Sequence, residues 1–598
     1  MAFLEKTTQF RLKRFFRRRR RAVENAVEDI DESFERNLLN RFGNVLGVSR
    51  FVMGWILLVG LVATLGIIQN ASLAKLYQKE LPVAGGVYNE GLVGSFSTAN
   101  PLFASSTVDT AVSRLVFSGL MKYDTQNQLV TDLAKKLAID EAGKNYTVTL
   151  RDDLNWQDGE PLTSDDVVFT YSLIQNPDVN SPLRMSWQGI TITKVDAKTV
   201  RFTLPGTLAT FKHSLTTGIL PKHILKNVAA SELRASSFNT TDPIGSGPYA
   251  WVGVDLRDAA SEKETGVIAL TPNEYYYGTA PGFDRFLMHT YNTESALTRA
   301  YEGNEVQAAS GLTKTPDSFM QVRGENRYAF VNSAIMMLFF KTNDGVTADL
   351  KVRQALLRAT DTVDITKNTS LAYRPVATPI LPNQIGYNKK YEQAKFDMAE
   401  ARKLLDEAGW KLNSKGVRQK DGKRLTIRLN AEDTNMSKDI LEHLQKTWRA
   451  LGIDLQQEVQ EKANFQTTLT THEYNVLLYG VSVGADPDVY AYWHSSQADV
   501  RSTSRLNFSE YKSAAADQAL EGGRTRMESQ VRAVKYEPFL KAWQEDVPAI
   551  ALFQPKQVYY TRGMVYGLHD SIINTDADRY NTAADWRIHT AGVTKNTK

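Results

Sequence analysis

Four stretches decide the fold: RLTIRLN at 424–430, SKDILEHLQKTWRAL at 437–451, IDLQQEVQ at 453–460 and EYNVLLYG at 473–480. The second places Ile440, Leu441, Leu444, Trp448 and Leu451 at helical spacing, and Gly452 stops it. The others read as strands. Strand, crossover helix, strand is a parallel unit, and such crossovers are right-handed in nearly all known cases. A helix over FDMAEARKLLDEAGW (396–410) precedes the unit and ends at Gly409, which suits a left-handed cap.

Open parallel sheets bind solutes beyond the carboxyl ends of their strands. The strand at 473–480 runs into VSVGADPDVYAYWHSS (481–496). Asp486 before Pro487 reads as a helix N-cap followed by proline at the first helical position. Residues 481–485 then form a small-residue loop between strand and helix. It is either a ligand loop offering backbone N–H and C=O groups, or a tight turn.

Upstream, NYTVTLR (145–151) puts Tyr146, Val148 and Leu150 on one strand face. Asp158-Gly159 signals a turn, and Thr163 and Asp166 have capping-box spacing ahead of VVFTYSLI (167–174). Another strand, TVRFTLP (199–205), ends at Pro205. Together these describe a mixed α/β segment over roughly 125–247.

The stretch 51–69, FVMGWILLVGLVATLGIIQ, has no charge and nearly the length of a hydrocarbon core. Residues 1–50 carry twelve Lys/Arg against seven Asp/Glu, including the run Arg17–Arg21, whereas only Lys75 and Lys79 closely follow the span. This asymmetry places the N-terminus in the cytoplasm and residues 70–598 outside, with 51–69 as an uncleaved transmembrane anchor. The competing reading is a signal peptide cleaved after Ala74, against which the fifty-residue leader and the long apolar stretch both count. Residues 22–46 place Val23, Ala26, Val27, Ile30, Phe34, Leu38, Phe42 and Val45 on one face of an amphipathic cytoplasmic helix.

The chain has 598 residues, enough for two or three sub-domains, and its overall charge of +4 resides in the first fifty residues. A near-neutral main body argues against a nucleic-acid partner. With no cysteine there are no disulfides, thiolate metal sites, cysteine nucleophiles or N-terminal lipidated cysteine. The eight histidines form no HExxH or other close metal-ligand spacing. No GxSxG elbow or phosphate loop occurs, and Gly245-Ser246-Gly247 precedes Pro248, so it opens no dinucleotide-binding helix. No cofactor and no enzymatic activity are expected.

Several stretches together resemble one family, the bacterial family 5 extracellular solute-binding proteins of oligopeptide, dipeptide and nickel importers. They are SFSTANPLFASSTVDTAVSRLVFSGLMKYD (95–124), the run from Leu133 to Ile174 containing NWQDGEPLTSDD, PIGSGPYAW (243–251), DLKVRQALLRATD (349–361), AEARKLLDEAGW (399–410), DPDVYAYWHSSQ (486–497), LNFSEY (506–511) and FLKAWQEDVPAIALFQPKQVYY (539–560). They occur in the family's order over about 84–590. The resemblance implies an α/β, two-lobed class II periplasmic-binding-protein fold with an extra family-specific domain, preceded here by one transmembrane helix. Lobe one would comprise 84–124, 248–333 and 547–590, the extra domain 125–247, and lobe two 334–546. The implied function is capture of a short peptide or peptide-like solute between the lobes, for delivery to the permease and ATPase subunits of an ABC importer. A membrane-anchored sensor or scaffold on the same fold is the alternative.

Matched to the family by position, the ligand-binding candidates are Phe96, Thr98 and Asn100 in the first lobe, and Tyr479, Val481, Ser482, Val483 and Gly484 in the second. Trp493 either faces the cleft or packs its helix, and Asp486 is expected to cap rather than contact ligand. Peptide-binding members usually carry an aspartate three residues before the acid-proline pair, where it neutralises the peptide's α-ammonium; here that position is Val483. A helix N-terminus aimed near the cleft would favour a negative group instead. The solute is therefore expected not to be a simple free-amine dipeptide.

Overall fold

A computed structural model describes residues 49–257, 264–502 and 505–594. The amphipathic helix expected at 22–46 and the arginine run lie outside these residues. The described residues divide into two compact units, 49–81 with 590–594, and the rest from 82 to 589. In the first, the helix Ser49–Tyr77 runs directly into the strand Gln78–Val83, which pairs with His589–Thr594. Within that helix Phe51–Asn70 has a mean hydropathy of 2.5, and it is long and apolar enough to cross a membrane.

The second unit is built on a thirteen-stranded mixed sheet. At one end Thr426–Glu432 lies between Asp454–Gln460 and Val476–Ser482, parallel to both. This is the crossover unit expected from the sequence. Its helix, Asn435–Arg449, is capped by the Thr434 hydroxyl and buries Ile440, Leu441, Leu444 and Trp448 against the sheet. Each such side chain contributes about 1.5–3 kcal/mol of burial. The preceding helix, Met398–Glu407, is capped by Asp397.

One strand of fourteen residues, Ala549–Arg562, runs through both halves of the sheet. Its first part, Ala549–Phe553, pairs with Met336–Phe339. Its second part, Lys556–Arg562, pairs with Glu325–Val331. The strands Glu325–Asn332 and Ala334–Phe340 are separated only by Ser333, which makes the return crossing. These two crossings join the lobes of a two-lobed periplasmic-binding-protein fold. In lobe two, apolar clusters around Leu444 and Trp448 and around Phe339, Trp493 and Trp543 are formed by opposite faces of the sheet. A third cluster runs from Tyr88, Phe286 and Trp586 in lobe one to Tyr146, Trp187 and Phe202.

Tyr146 and Phe202 belong to a separate four-stranded antiparallel sheet, in the order Ala134–Ile139, Asn145–Leu150, Thr199–Thr203 and Thr191–Asp196, and Trp187 to the short helix Arg184–Trp187 packed on it. Tyr146, Val148 and Leu150 are buried, as the alternation requires. The helix Ser164–Gln175 begins with the expected Thr163/Asp166 capping box. Two of the family-like motifs bond each other, through Gln157 just ahead of it in the chain. The Gln157 side chain accepts from Gly245 N at 2.8 Å and donates to Tyr249 O at 2.8 Å, while Gln157 N donates to Gly245 O. A Cβ on Gly245 would lie 1.9 Å from the carbonyl oxygen of Val116, so only glycine fits. Gly245→Ala is expected to lower the unfolding free energy by about 1–3 kcal/mol, read as a shifted midpoint in chemical denaturation at unchanged slope.

Candidate functional site

In lobe one the strand Val87–Val93 delivers its carboxyl end to the segment holding Phe96, Thr98 and Asn100. Asp109, in the first turn of the helix Thr107–Val116, organises this loop. Its carboxylate accepts from Ser97 N at 2.7 Å, Ser97 Oγ at 2.6 Å and Thr98 N at 3.1 Å. The Thr98 hydroxyl accepts from Asn100 N, and the Asn100 side chain bonds Leu102 N at 2.9 Å and the Asn239 side chain at 2.8 Å. Asn100 is fully buried, and Phe96 packs on Trp251. The polar groups of Thr98 and Asn100 therefore hold the loop in shape. Beside it, a cavity of about 170 Å³ is lined by Thr110, Ser113, Arg114, Thr216, Thr217 and Thr575, with Arg114 3.2 Å from Asp578. The Thr110, Thr216 and Thr217 hydroxyls donate to the carbonyls of Ser106, His213 and Ser214.

In lobe two the strand Val476–Ser482 runs antiparallel to Val87–Val93, so the carboxyl ends of the two strands face each other. Its last residues keep the two-residue alternation: Val481 and Val483 turn into the apolar cluster with Ile335 and Phe339, and Ser482 is exposed between them. Tyr479 is half-buried between Phe465 and Phe508. Val483 N and Gly484 N both donate to Ser333 O, at 2.8 and 3.1 Å. Gln384 Nε2 donates to Gly484 O at 2.8 Å, and Tyr492 OH to Ser482 O at 2.9 Å. These backbone groups, expected to be offered to a ligand, are engaged within the protein. Gly484, at φ +64, leaves the space beside its Cα open. Trp493 is 1% exposed, stacked on Phe339 and edge-on to Trp543, and lies in the core.

The expected helix start at Asp486-Pro487 is corrected. The short helix Tyr490–Trp493 begins later, with Val489 at its N-cap. Asp486 does not cap it; its side chain, 8% exposed, accepts a bidentate pair of hydrogen bonds from Arg532 at 2.6 and 2.5 Å. Asp488 pairs with Arg524 at 3.1 Å, and that guanidinium lies over the Tyr490 ring. Burial pushes the Asp488 carboxyl up. The reason for the difference is competition: two guanidiniums from the helices Ala514–Arg524 and Ser529–Asp546 hold the carboxylates more strongly than a few terminal N–H groups would. With no multi-turn helix starting here, the expected preference for a negative group loses its source.

Sequence reasoning missed Asp109, Ser333, Gln384 and Arg532. The Ser106-x-x-Asp109 spacing marks a helix start, and Ser106 does accept from Asp109 N, but the carboxylate turns to the loop. Ser333 carries no local signal. Among the described residues there is no group of three or more His, Asp or Glu able to hold a metal ion.

Removing Arg532 strands a buried carboxylate. Arg532→Ala is expected to destabilise the protein by about 3–5 kcal/mol. Arg532→Lys should recover little, because lysine cannot supply the two-pronged contact. Denaturation midpoints of the two variants check this.

Comparison with known proteins agrees with this architecture. Residues 128–502 match the family described as bacterial extracellular solute-binding proteins, family 5 Middle. The oligopeptide-binding protein AppA of Bacillus subtilis is 28% identical over 489 residues, covering 79% of this chain and 87% of its own. NikZ of Campylobacter jejuni, solved in complex with Ni(L-His), superposes with a TM-score of 0.69 at 26% identity, over 85% of this chain and all of its own. AppA of Bacillus subtilis in complex with a nonapeptide superposes with a TM-score of 0.67 at 23% identity, over the same shares. The chain belongs to the bacterial extracellular solute-binding proteins, family 5.

Proposed function

We propose that this protein is the membrane-tethered, extracytoplasmic binding subunit of an ABC importer, taking a short peptide or peptide-like solute between its lobes. The observation that supports the reading is that the strands Val87–Val93 and Val476–Ser482 turn their carboxyl ends toward each other beside two chain crossings, at Ser333 and at Gln554–Lys556. Solute that touches both lobes stabilises the closed form, which a permease can then recognise. The match to an oligopeptide-binding relative over 79% of the chain supports a peptide-like solute. The permease and ATPase are other chains, and the protein binds without turnover. The helix Ser49–Tyr77 is the anchor, crossing the membrane once with the basic N-terminus in the cytoplasm. In this reading lobe one comprises 84–124, 248–333 and 547–590, lobe two 334–546, and 125–247 forms the extra domain, with Ala549–Phe553 the stretch that pairs with the lobe-two strand Ala334–Phe340.

Ser482 and the open side of Gly484 are the parts of the lobe-two loop that meet solute, opposite the loop of Phe96, Thr98 and Asn100. With Val483 turned inward, no carboxylate at that position receives an α-ammonium, and an unpaired buried ion would cost several kcal/mol. The preferred solute therefore lacks a free amine there. Mass spectrometry of material that co-purifies with residues 75–598 should reveal peptides or peptide-like molecules. In calorimetry N-acetylated tripeptides should bind at least as tightly as unmodified ones; tight binding of the unmodified forms, weakened by acetylation, overturns the claim about the amine.

A second reading, a sensor or scaffold, is favoured by the run Arg17–Arg21 ahead of an apolar span. Deleting residues 1–48 with topology retained is expected to leave uptake unchanged; loss of signalling with intact uptake supports the sensor.

A further inference from the structure

The segment 207–213, which follows the four-stranded sheet, reaches across to lobe two. Ala209 N donates to Arg524 O at 2.9 Å, and Thr210 Oγ1 lies 3.5 Å from Asp488 Oδ2. Tyr146, under the same segment, places its hydroxyl 3.8 Å from Met527 Sδ. The His213 ring stacks on Tyr123, with Nδ1 2.9 Å from the phenol oxygen and Nε2 3.9 Å from Asp486 Oδ2. His213 is therefore wedged between a lobe-one hairpin and the Asp-Pro-Asp turn of lobe two.

We propose that the contact of residues 209–213 with Asp486, Asp488 and Arg524 is a closing latch, with His213 as its proton-sensitive positioning residue. The Asp-Pro-Asp turn is then the seat of the latch, not a ligand contact. Only the two-lobed fold is needed for this inference; the identity of the solute is not.

The charges around the ring decide its protonation. Asp486 faces it from the turn, but both carboxylate oxygens already accept from Arg532, whose guanidinium opposes a second cation nearby. Lys212 on the ring's own segment opposes it too. On the other side Tyr123 offers only a phenol, flanked by the mutually paired Arg114 and Asp578. Burial dominates and pulls His213 from its ordinary 6.5 down to about 4. The closed latch thus binds this proton more weakly than an open form with a hydrated ring. Closure is fully favoured above pH 6.5 and loses that advantage as pH falls toward 4, by about tenfold at pH 5.5. Asp488, raised by burial, works in the opposite sense, so the imidazole's share must be isolated by substitution.

The cysteine-free chain allows a direct test without solute. Spin labels on Lys226→Cys and Lys541→Cys report the separation of the latch-bearing side from lobe two, in full-length protein reconstituted in nanodiscs. Between pH 7.5 and 5.5 the closed-to-open ratio should fall about tenfold in otherwise native protein and less than twofold in His213→Gln. If His213→Gln folds poorly, His213→Asn, which likewise cannot take up a proton, should show the same loss of response. An equal response in native and substituted protein, or no response in either, overturns the latch. Either result leaves the transport reading untouched, because no ligand is present.

Discussion

The structure depends on one strand that serves two lobes. Ala549–Arg562 pairs with Met336–Phe339 at one end and Glu325–Val331 at the other, so both halves of the sheet share its backbone hydrogen-bond ladder. Between the two ladders the strand pairs with Ala372–Pro375 and is also braced by side chains. Gln554, fully buried, donates to Asn332 O at 2.9 Å and accepts from Arg374 at 3.0 Å. The return crossing is braced more densely. Ser333 donates its N–H to Ile573 O, accepts at its carbonyl from Val483 and Gly484, and accepts at its hydroxyl from Asn127. A hinge made of two strand crossings permits rotation while keeping the pivot points paired.

Buried charges tie distant segments to this frame. Glu90, on the lobe-one strand Val87–Val93, accepts from Arg579 at 3.1 Å and from Tyr580 at 2.7 Å, and both charged side chains are at most 1% exposed. Desolvating such a pair is expensive unless the geometry is good, and losing one partner costs more than the pair contributes. Arg353 acts similarly without a carboxylate partner: its guanidinium donates to the carbonyls of Thr347, Ala348, Asp546 and Val547, where the helix Ser529–Asp546 ends. Cations at a helix C-terminus are favoured by its dipole and unpaired carbonyls.

The parts legible in the sequence were those whose signal is local. The crossover unit at 424–480, the Thr163/Asp166 cap and the inward face of Tyr146, Val148 and Leu150 all follow from spacing within a few residues. The apolar helix spanning Phe51–Asn70 followed from length and composition. The Asp486 reading failed for the opposite reason. Its local context suggests a cap, but Arg532 lies forty-six positions away and wins the carboxylate. Ser333 and Gln384 were invisible because their roles exist only after lobe two folds against the hinge.

The same distinction explains why the family was readable and the solute less so. Gln157 and Gly245 in two of the matched motifs bond each other, Arg353 in a third closes a helix end, and Asp486 in a fourth anchors a turn to Arg532. These residues specify the scaffold, and matching them identifies the scaffold. Solute chemistry is instead set by groups that no fold requirement fixes. Along 481–484 the alternation sends Val481 and Val483 inward and leaves Ser482 and the bare Cα of Gly484 outward. A hydroxyl and an open backbone position can accommodate many main-chain conformations but cannot neutralise a cation. On the proposed reading, in which this loop meets the solute, selectivity at this end of the cleft rests on shape and on the absence of a buried charge to be met.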